Sequence, residues 1–209
     1  MPKAPASPGE IENIRDNMIH EAVSLINETG FSNFSMRKLG SRLGIAAKTI
    51  YNYFTDKDEL YLMILTRGFD VLLETMEKAK EESRTPYQQL RAMARAYVSF
   101  GLENPHHYNI LFSLDVPKYT DYVGTRHEEL ADTQNRSALK VAVLTREVMV
   151  TGARKSRGVK MKDIDHHLMH IWSTLHGIVS LLNSRVTLEV GDFTTSVDRL
   201  VDDTVVMFK

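Results

Sequence analysis

Residues 44–54 read GIAAKTIYNYF, and the fold turns on how this stretch is read. Gly44 suits a left-handed turn, and the residues after it have the spacing of a short helix from Ala46 to Tyr53. Ile50 and Phe54, four apart, face inward together with Ile45. Ala47, Lys48, Thr49, Tyr51, Asn52 and Tyr53 are left around the outer surface. Aromatic and polar side chains crowded on so short a helix call for a docking partner.

The flanking sequence supplies a frame for that helix. A first helix is expected from Glu10 to Thr29, with Ile11, Ile14, Met18, Ala22, Leu25 and Ile26 on its inner face and Gly30 as C-cap. Ser35 caps a second helix that carries Leu39 and Leu43 and stops at Gly44 after two turns. Two short helices across a tight glycine turn, packed on a longer one, form a helix-turn-helix, whose second helix fits the DNA major groove. The side-chain chemistry agrees. Lys48 donates to guanine or phosphate, Thr49 and Asn52 address base edges, and Tyr51 and Tyr53 hydrogen-bond phosphate. Residues 1–60 carry a net charge of −1, but between 37 and 57 Arg37, Lys38, Arg42, Lys48 and Lys57 face only Asp56, a local +4. A focused patch of this kind suits backbone neutralisation at one surface.

The longer stretch FSNFSMRKLGSRLGIAAKTIYNYFTDKDELYLMIL resembles the N-terminal signature of the TetR family of bacterial transcriptional regulators, over about residues 11–65. The resemblance implies a homodimer of all-helical subunits, each with a DNA-binding head and a larger ligand-sensing, dimerising body. Matched position by position, it makes Arg37, Ala47, Lys48, Thr49 and Asn52 base-reading residues and Tyr51, Tyr53 and Lys57 phosphate-holding ones. The alanines at 46 and 47 depart from the cap or polar reader that many members place there, so position 47 offers only methyl contact.

Apolar residues recur at helical spacing through the rest of the 209-residue chain, and no sustained period-two segment interrupts them. The expected fold is all-α. Thr55, three before Asp58, resembles a capping box opening a long helix through Glu82, and Thr85 with Pro86 opens the next. The expected division is a disordered tail at 1–9, a head at 10–55, a connecting helix at 56–84 and a helical ligand-binding and dimerisation body at 85–209. Within the body we expect a short helix opened by Pro105, an irregular segment 115–124, a long helix 125–151, a basic loop 153–162, and two final helices at about 163–185 and 193–208. Cysteine is absent, which excludes disulfides and thiolate metal sites. The N-terminus MPKAPASPGE has no apolar core of a signal peptide, and a cytoplasmic protein is expected.

Residues 166–184 lack Asp, Glu, Lys and Arg, but four histidines, three serines, a threonine and an asparagine make them a buried helix and not a membrane span. Ile164, Leu168, Ile171, Leu175, Ile178, Val179 and Leu182 share one stripe with Trp172 at its edge, and His166 and His170 lie nearly opposite. Such a helix is expected to be buried on both sides, once against its own domain and once against a partner subunit. A last helix with Phe193, Val197, Leu200, Val201, Val205 and Phe208 would complete a four-helix dimer interface. WSTLHGIVSLL, with Trp172, His176 and Gly177, resembles a subgroup of the same family with a Trp-x3-His-Gly sequence. Tyr97, Phe100, His107, Tyr108, Phe112, Trp172 and His176 are the candidate walls of a small-molecule site. His166 and His170 with His106, His107 and Asp163 have metal-ligand spacing, but no H-E-x-x-H or thiolate accompanies them, and neither a metal nor a cofactor is expected. The functional expectation is a ligand-responsive regulator, a repressor released from a palindromic operator by an effector. The alternatives are a helical dimerisation module that binds only protein, or an enzyme. No phosphate loop, nucleophile motif or carboxylate pair supports the latter.

Overall fold

The computed structural model describes residues 7–113, 116–155, 159–184 and 196–209. Among these residues every regular element is helical, as the periodicity requires. Helix α1 (Pro8–Thr29) starts two residues before the expected Glu10, because Ser7 and Glu10 form a capping box: Glu10 N–H donates to Ser7 Oγ and Ser7 N–H to Glu10 Oε2. A single 3₁₀ turn, Phe31–Asn33, leads to α2 (Met36–Leu43), which Ser35 caps through the Lys38 N–H. Helix α3 (Ala47–Ile50) follows after Gly44, whose φ of 67° is left-handed.

Helix α4 (Lys57–Glu81) is capped by Asp56 and not by the expected Thr55. Asp56 Oδ1 accepts the Glu59 N–H at 2.9 Å, and Glu59 reaches back to the N–H and hydroxyl of Thr55. The acid's carboxylate outcompetes the threonine hydroxyl because it adds favourable charge at the helix N-terminus. Helix α5 (Pro86–Glu103) has the expected Thr85 cap, with Gln88 completing the box.

Helix α6 (Pro105–Tyr108) runs into a π-helical turn, Asn109–Ser113. The segment expected to be irregular holds one helical turn, α7 (Tyr119–Tyr122). Helix α8 (Glu128–Lys155) lies three to four residues later than expected, so Ala153, Arg154 and Lys155 of the expected basic loop are helical. Positions 156–158 of that loop, and Phe193 of the expected last helix, lie outside the described residues, as do residues 1–6 of the expected tail. Helix α9 (Ile164–Asn183) and helix α10 (Val197–Val205) complete the chain with a final 3₁₀ turn, Val206–Phe208. No helix among the described residues is long and apolar enough to cross a membrane.

The chain divides into two compact units, one from Met1–Gly68 and His106–Asn135, the other from Phe69–Pro105 and Arg136–Lys209. In the first, Ala22, Ile26, Leu39, Ile50, Leu60 and Ile110 are among the most deeply buried residues. In the second, α5, α9 and α10 pack on one another, with Leu90, Met93, Val179 and Val201 buried. Helices α4 and α8 each contribute to both units.

Candidate nucleic-acid interface

The turn between α2 and α3 depends on two glycines. Gly44 supplies the left-handed residue, and the Ile45 N–H returns to Gly40 O at 2.9 Å. Gly40 supplies space: a Cβ there would lie 2.8 Å from Ile45 O and 3.1 Å from Ala47 N. With α2 and α3 so close, Leu39, Ile50 and Phe54 are essentially excluded from solvent and lock the pair into the unit. Burying Leu39 and Ile50 alone contributes about 3–6 kcal/mol of transfer free energy.

Helix α3 is shorter than expected. After Ile50 the chain tightens into i→i+3 bonds, Asn52 N–H to Thr49 O and Tyr53 N–H to Ile50 O. Thr49, Ile50, Tyr51, Asn52 and Tyr53 are all weak helix formers, and Phe54 has to turn into the core. The outer surface then divides. Arg37, Lys48, Tyr51 and Asn52 are exposed, whereas Ala47, Thr49 and Tyr53 are half-buried. Arg37 and Lys48 make no ion pair among the described residues.

Three of the basic residues counted in the local patch are otherwise engaged. Arg42 binds Glu21 and Glu28 of α1, each at 2.7 Å, and its hydrogen bond holds the Glu28 carboxyl below the usual range. Lys57 donates from Nζ to Phe31 O and lies over the Phe31 ring, and Lys38 donates to Asn33 O at 2.8 Å. Nothing in the sequence signals the Arg42 pairing, because its partners lie 14 and 21 positions upstream.

A further group lies beside the start of α4 in the same unit. Asp56 Oδ2 meets His127 Nε2 at 2.8 Å and the Arg126 guanidinium, and Asp58 Oδ1 accepts the Tyr122 hydroxyl at 3.0 Å. The donor atoms of Asp56, Asp58 and His127 lie within 4.8 Å of one another, the arrangement a cation would need, but Arg126 and Tyr122 already satisfy the two carboxylates. The sequence reading missed these residues, since no local pattern connects positions 70 apart.

The candidate ligand walls fall into both units. In the second, the buried Tyr97 hydroxyl is hydrogen-bonded to His176 Nδ1 at 2.7 Å, with Phe100 buried on the same helix. Burial pushes the His176 pKa down. Trp172, one turn before His176, is instead 42% exposed. In the first unit, Tyr108 is buried with its ring 5.1 Å from that of Phe112, and burial, reinforced by His20 and His106, pushes His107 down. His166 and His170 are exposed on α9.

Comparison with known proteins identifies two domains. Residues 18–64 match the family described as bacterial regulatory proteins, tetR family, and residues 90–206, more than half the chain, match the tetracyclin repressor-like C-terminal domain. An uncharacterised HTH-type transcriptional regulator of Haemophilus influenzae is 37% identical over 81 residues, which span 39% of this chain and 43% of that relative. Among solved structures, a tetR-family regulatory protein from Rhodococcus has a TM-score of 0.70 at 16% identity, covering 93% of this chain and 96% of its own. The regulator FadR from Bacillus subtilis, solved in complex with stearoyl-CoA, also has 0.70, at 17% identity, covering 91% and 97%. At these identities the structural likeness concerns the fold; the two matched domains carry the assignment, and the chain belongs to the TetR family of bacterial regulatory proteins.

Proposed function

We propose that this chain is a DNA-binding transcriptional repressor, working in the cytoplasm as a homodimer and released from its operator by a small-molecule effector. The observation that carries the reading is the set Arg37, Lys48, Tyr51 and Asn52, exposed on α2, on α3 and on the turn that follows it, while Leu39, Ile50 and Phe54 of the same stretch are buried. Arg37 and Asn52 have the chemistry of base readers, and Lys48 and Tyr51 stand where phosphates would pass. Thr49 and Ala47 add methyl contacts at the edge of this surface and Tyr53 faces the DNA backbone, whereas Lys57, held on Phe31, braces the head from within.

The dimer in this reading forms through the last two helices. Met169, Trp172 and Leu181 of α9, Leu200 of α10 and Val206 of the final 3₁₀ turn are large apolar side chains left exposed in the single chain, which suits an isologous interface. Two recognition helices related by a two-fold axis would read half-sites roughly 34 Å apart on one face of the duplex.

The effector site we place in the body, residues 85–209, with the Tyr97–His176 pair as its polar feature and Phe100 beside it. His107, Tyr108 and Phe112, in the first unit, are a separate candidate lining. To weaken operator binding 100-fold, an effector must prefer the released state by about 2.7 kcal/mol. The stearoyl-CoA bound by the Bacillus subtilis regulator makes long-chain acyl thioesters the first compounds to titrate.

The test is selection of genomic fragments by the purified protein, followed by anisotropy titrations at several salt concentrations. A near-palindromic site bound by two subunits, with a steep salt slope that Lys48→Ala lowers by about one, is the expected result. Failure to enrich any sequence, with or without added acyl thioesters, overturns the reading.

A further inference from the structure

We infer that the segment 117–127 is a working part of the DNA-reading head, with Tyr122 and His127 as positioning residues that hold the first turn of α4 and, through it, the exit from α3. This inference rests on the DNA-binding reading above.

The first turn of α4 begins three residues after the buried Phe54, so the direction in which it sets out limits how α3 can sit. Three side chains at this end of the helix are anchored from the far segment. Asp56, which caps the helix through Oδ1, has its other oxygen held by His127 Nε2 at 2.8 Å and by the Arg126 guanidinium. Asp58 accepts the Tyr122 hydroxyl at 3.0 Å, and the Tyr61 hydroxyl donates to Pro117 O at 3.2 Å. These anchors are built into the interior: Tyr61 is 0% and Tyr122 5% exposed, and the His127 side chain 12%. Hydrogen bonds to ionised groups in such surroundings are stronger than exposed ion pairs.

The same turn is tied on its other side. The Tyr61 ring packs against Phe31 with centroids 4.6 Å apart, and Lys57 donates to Phe31 O, so α4 is fixed at once to the turn between α1 and α2 and to the segment 117–127. The titratable and charged groups at this junction are Asp56, Lys57, Asp58 and Glu59 on one side and Asp121, Arg126, His127 and Glu128 on the other. Release of the clasp removes none of the exposed DNA-facing side chains but lets α3 take several orientations. The affinity then falls with the fraction of molecules whose two heads match the operator, and no phosphate contact is lost.

The experiment uses the full chain and the best genomic fragment. Tyr122→Phe removes one hydroxyl, His127→Ala removes one of the two partners of Asp56 Oδ2, and His127→Gln restores an N–H donor. Tyr122→Phe and His127→Ala are expected to bind roughly 3- to 30-fold more weakly with an unchanged salt slope, and His127→Gln to recover most of the loss. Wild-type affinity in both variants overturns the inference, as does a loss accompanied by a lower salt slope, which would make these residues direct phosphate contacts.

If the unaltered protein selects no DNA, the regulator reading fails by itself, and amide hydrogen exchange over Lys57–Tyr61 still tests the clasp. Faster exchange in Tyr122→Phe, with global unfolding unchanged, supports it, and unchanged exchange overturns it. Tyr122→Phe deletes a single oxygen, so the test does not depend on the larger substitution folding.

Discussion

The ammonium of Lys57 stands 3.8 Å from the centre of the Phe31 ring and donates a 2.6 Å hydrogen bond to the carbonyl of that same residue. Burial pushes its pKa down, with the nearby Asp58 opposing the shift. Lys57→Met keeps the stem and loses the charge, and should cost about 1–2 kcal/mol of stability in urea unfolding. It should leave the salt slope of DNA binding unchanged, whereas Lys48→Ala lowers it by about one. An equal drop for Lys57→Met would show that the ammonium leaves Phe31 for a phosphate on the operator.

Gly40→Ala tests the closeness of α2 and α3. The added methyl meets a backbone carbonyl and a backbone N–H, neither of which can swing aside. The expected cost is about 1–3 kcal/mol, with operator affinity falling further than in an Ala substitution on an exposed face of α2, such as Ser41→Ala. Thermal unfolding and anisotropy on the same samples measure both.

Stability should depend on pH through two imidazoles. Burial holds His107 and His176 below the ordinary histidine value of 6.5, so the folded protein binds fewer protons than the unfolded chain just below that pH. Their contribution is intact above 6.5 and is lost as pH falls from there through the lowered folded-state values. Urea midpoints at pH 7.5, 6.5, 5.5 and 5.0 should decline in the wild type, and His107→Asn with His176→Asn should flatten the decline. Asp202, held down by its hydrogen bond to Arg91, acts in a separate window that begins near its ordinary value of 3.8.

The proposed dimer can be read from the one tryptophan in the sequence. Trp172 is 42% exposed in the single chain, so its emission should shift to the blue as subunits associate. Leu181→Asp should give a monomer by sedimentation velocity and a red-shifted Trp172. A dimer that survives Leu181→Asp with its emission unchanged would place the interface on another surface.

The all-helical class, the helix-turn-helix and the Ser35, Gly44 and Thr85 caps were legible in the sequence because each depends on residues within a few positions of one another. Periodicity places Leu39, Ile50 and Phe54 inside for the same reason, and family resemblance over residues 11–65 added to that local pattern. The reading faltered where a local choice was close: Asp56 caps α4 in place of its neighbour Thr55, and Thr49 to Tyr53 end α3 early.

The tertiary structure alone decided which charges are free to meet a partner. Arg42 and Lys57 look equivalent to Lys48 in a count of basic residues, yet one is paired with two glutamates of α1 and the other is turned onto Phe31. The fold alone also carried Tyr122, Arg126 and His127 to the start of α4. Helix periodicity and capping are short-range and can be read from neighbours in the chain. Ion pairing and hydrogen bonding act over a few ångströms of space, and only folding brings residues tens of positions apart within that reach.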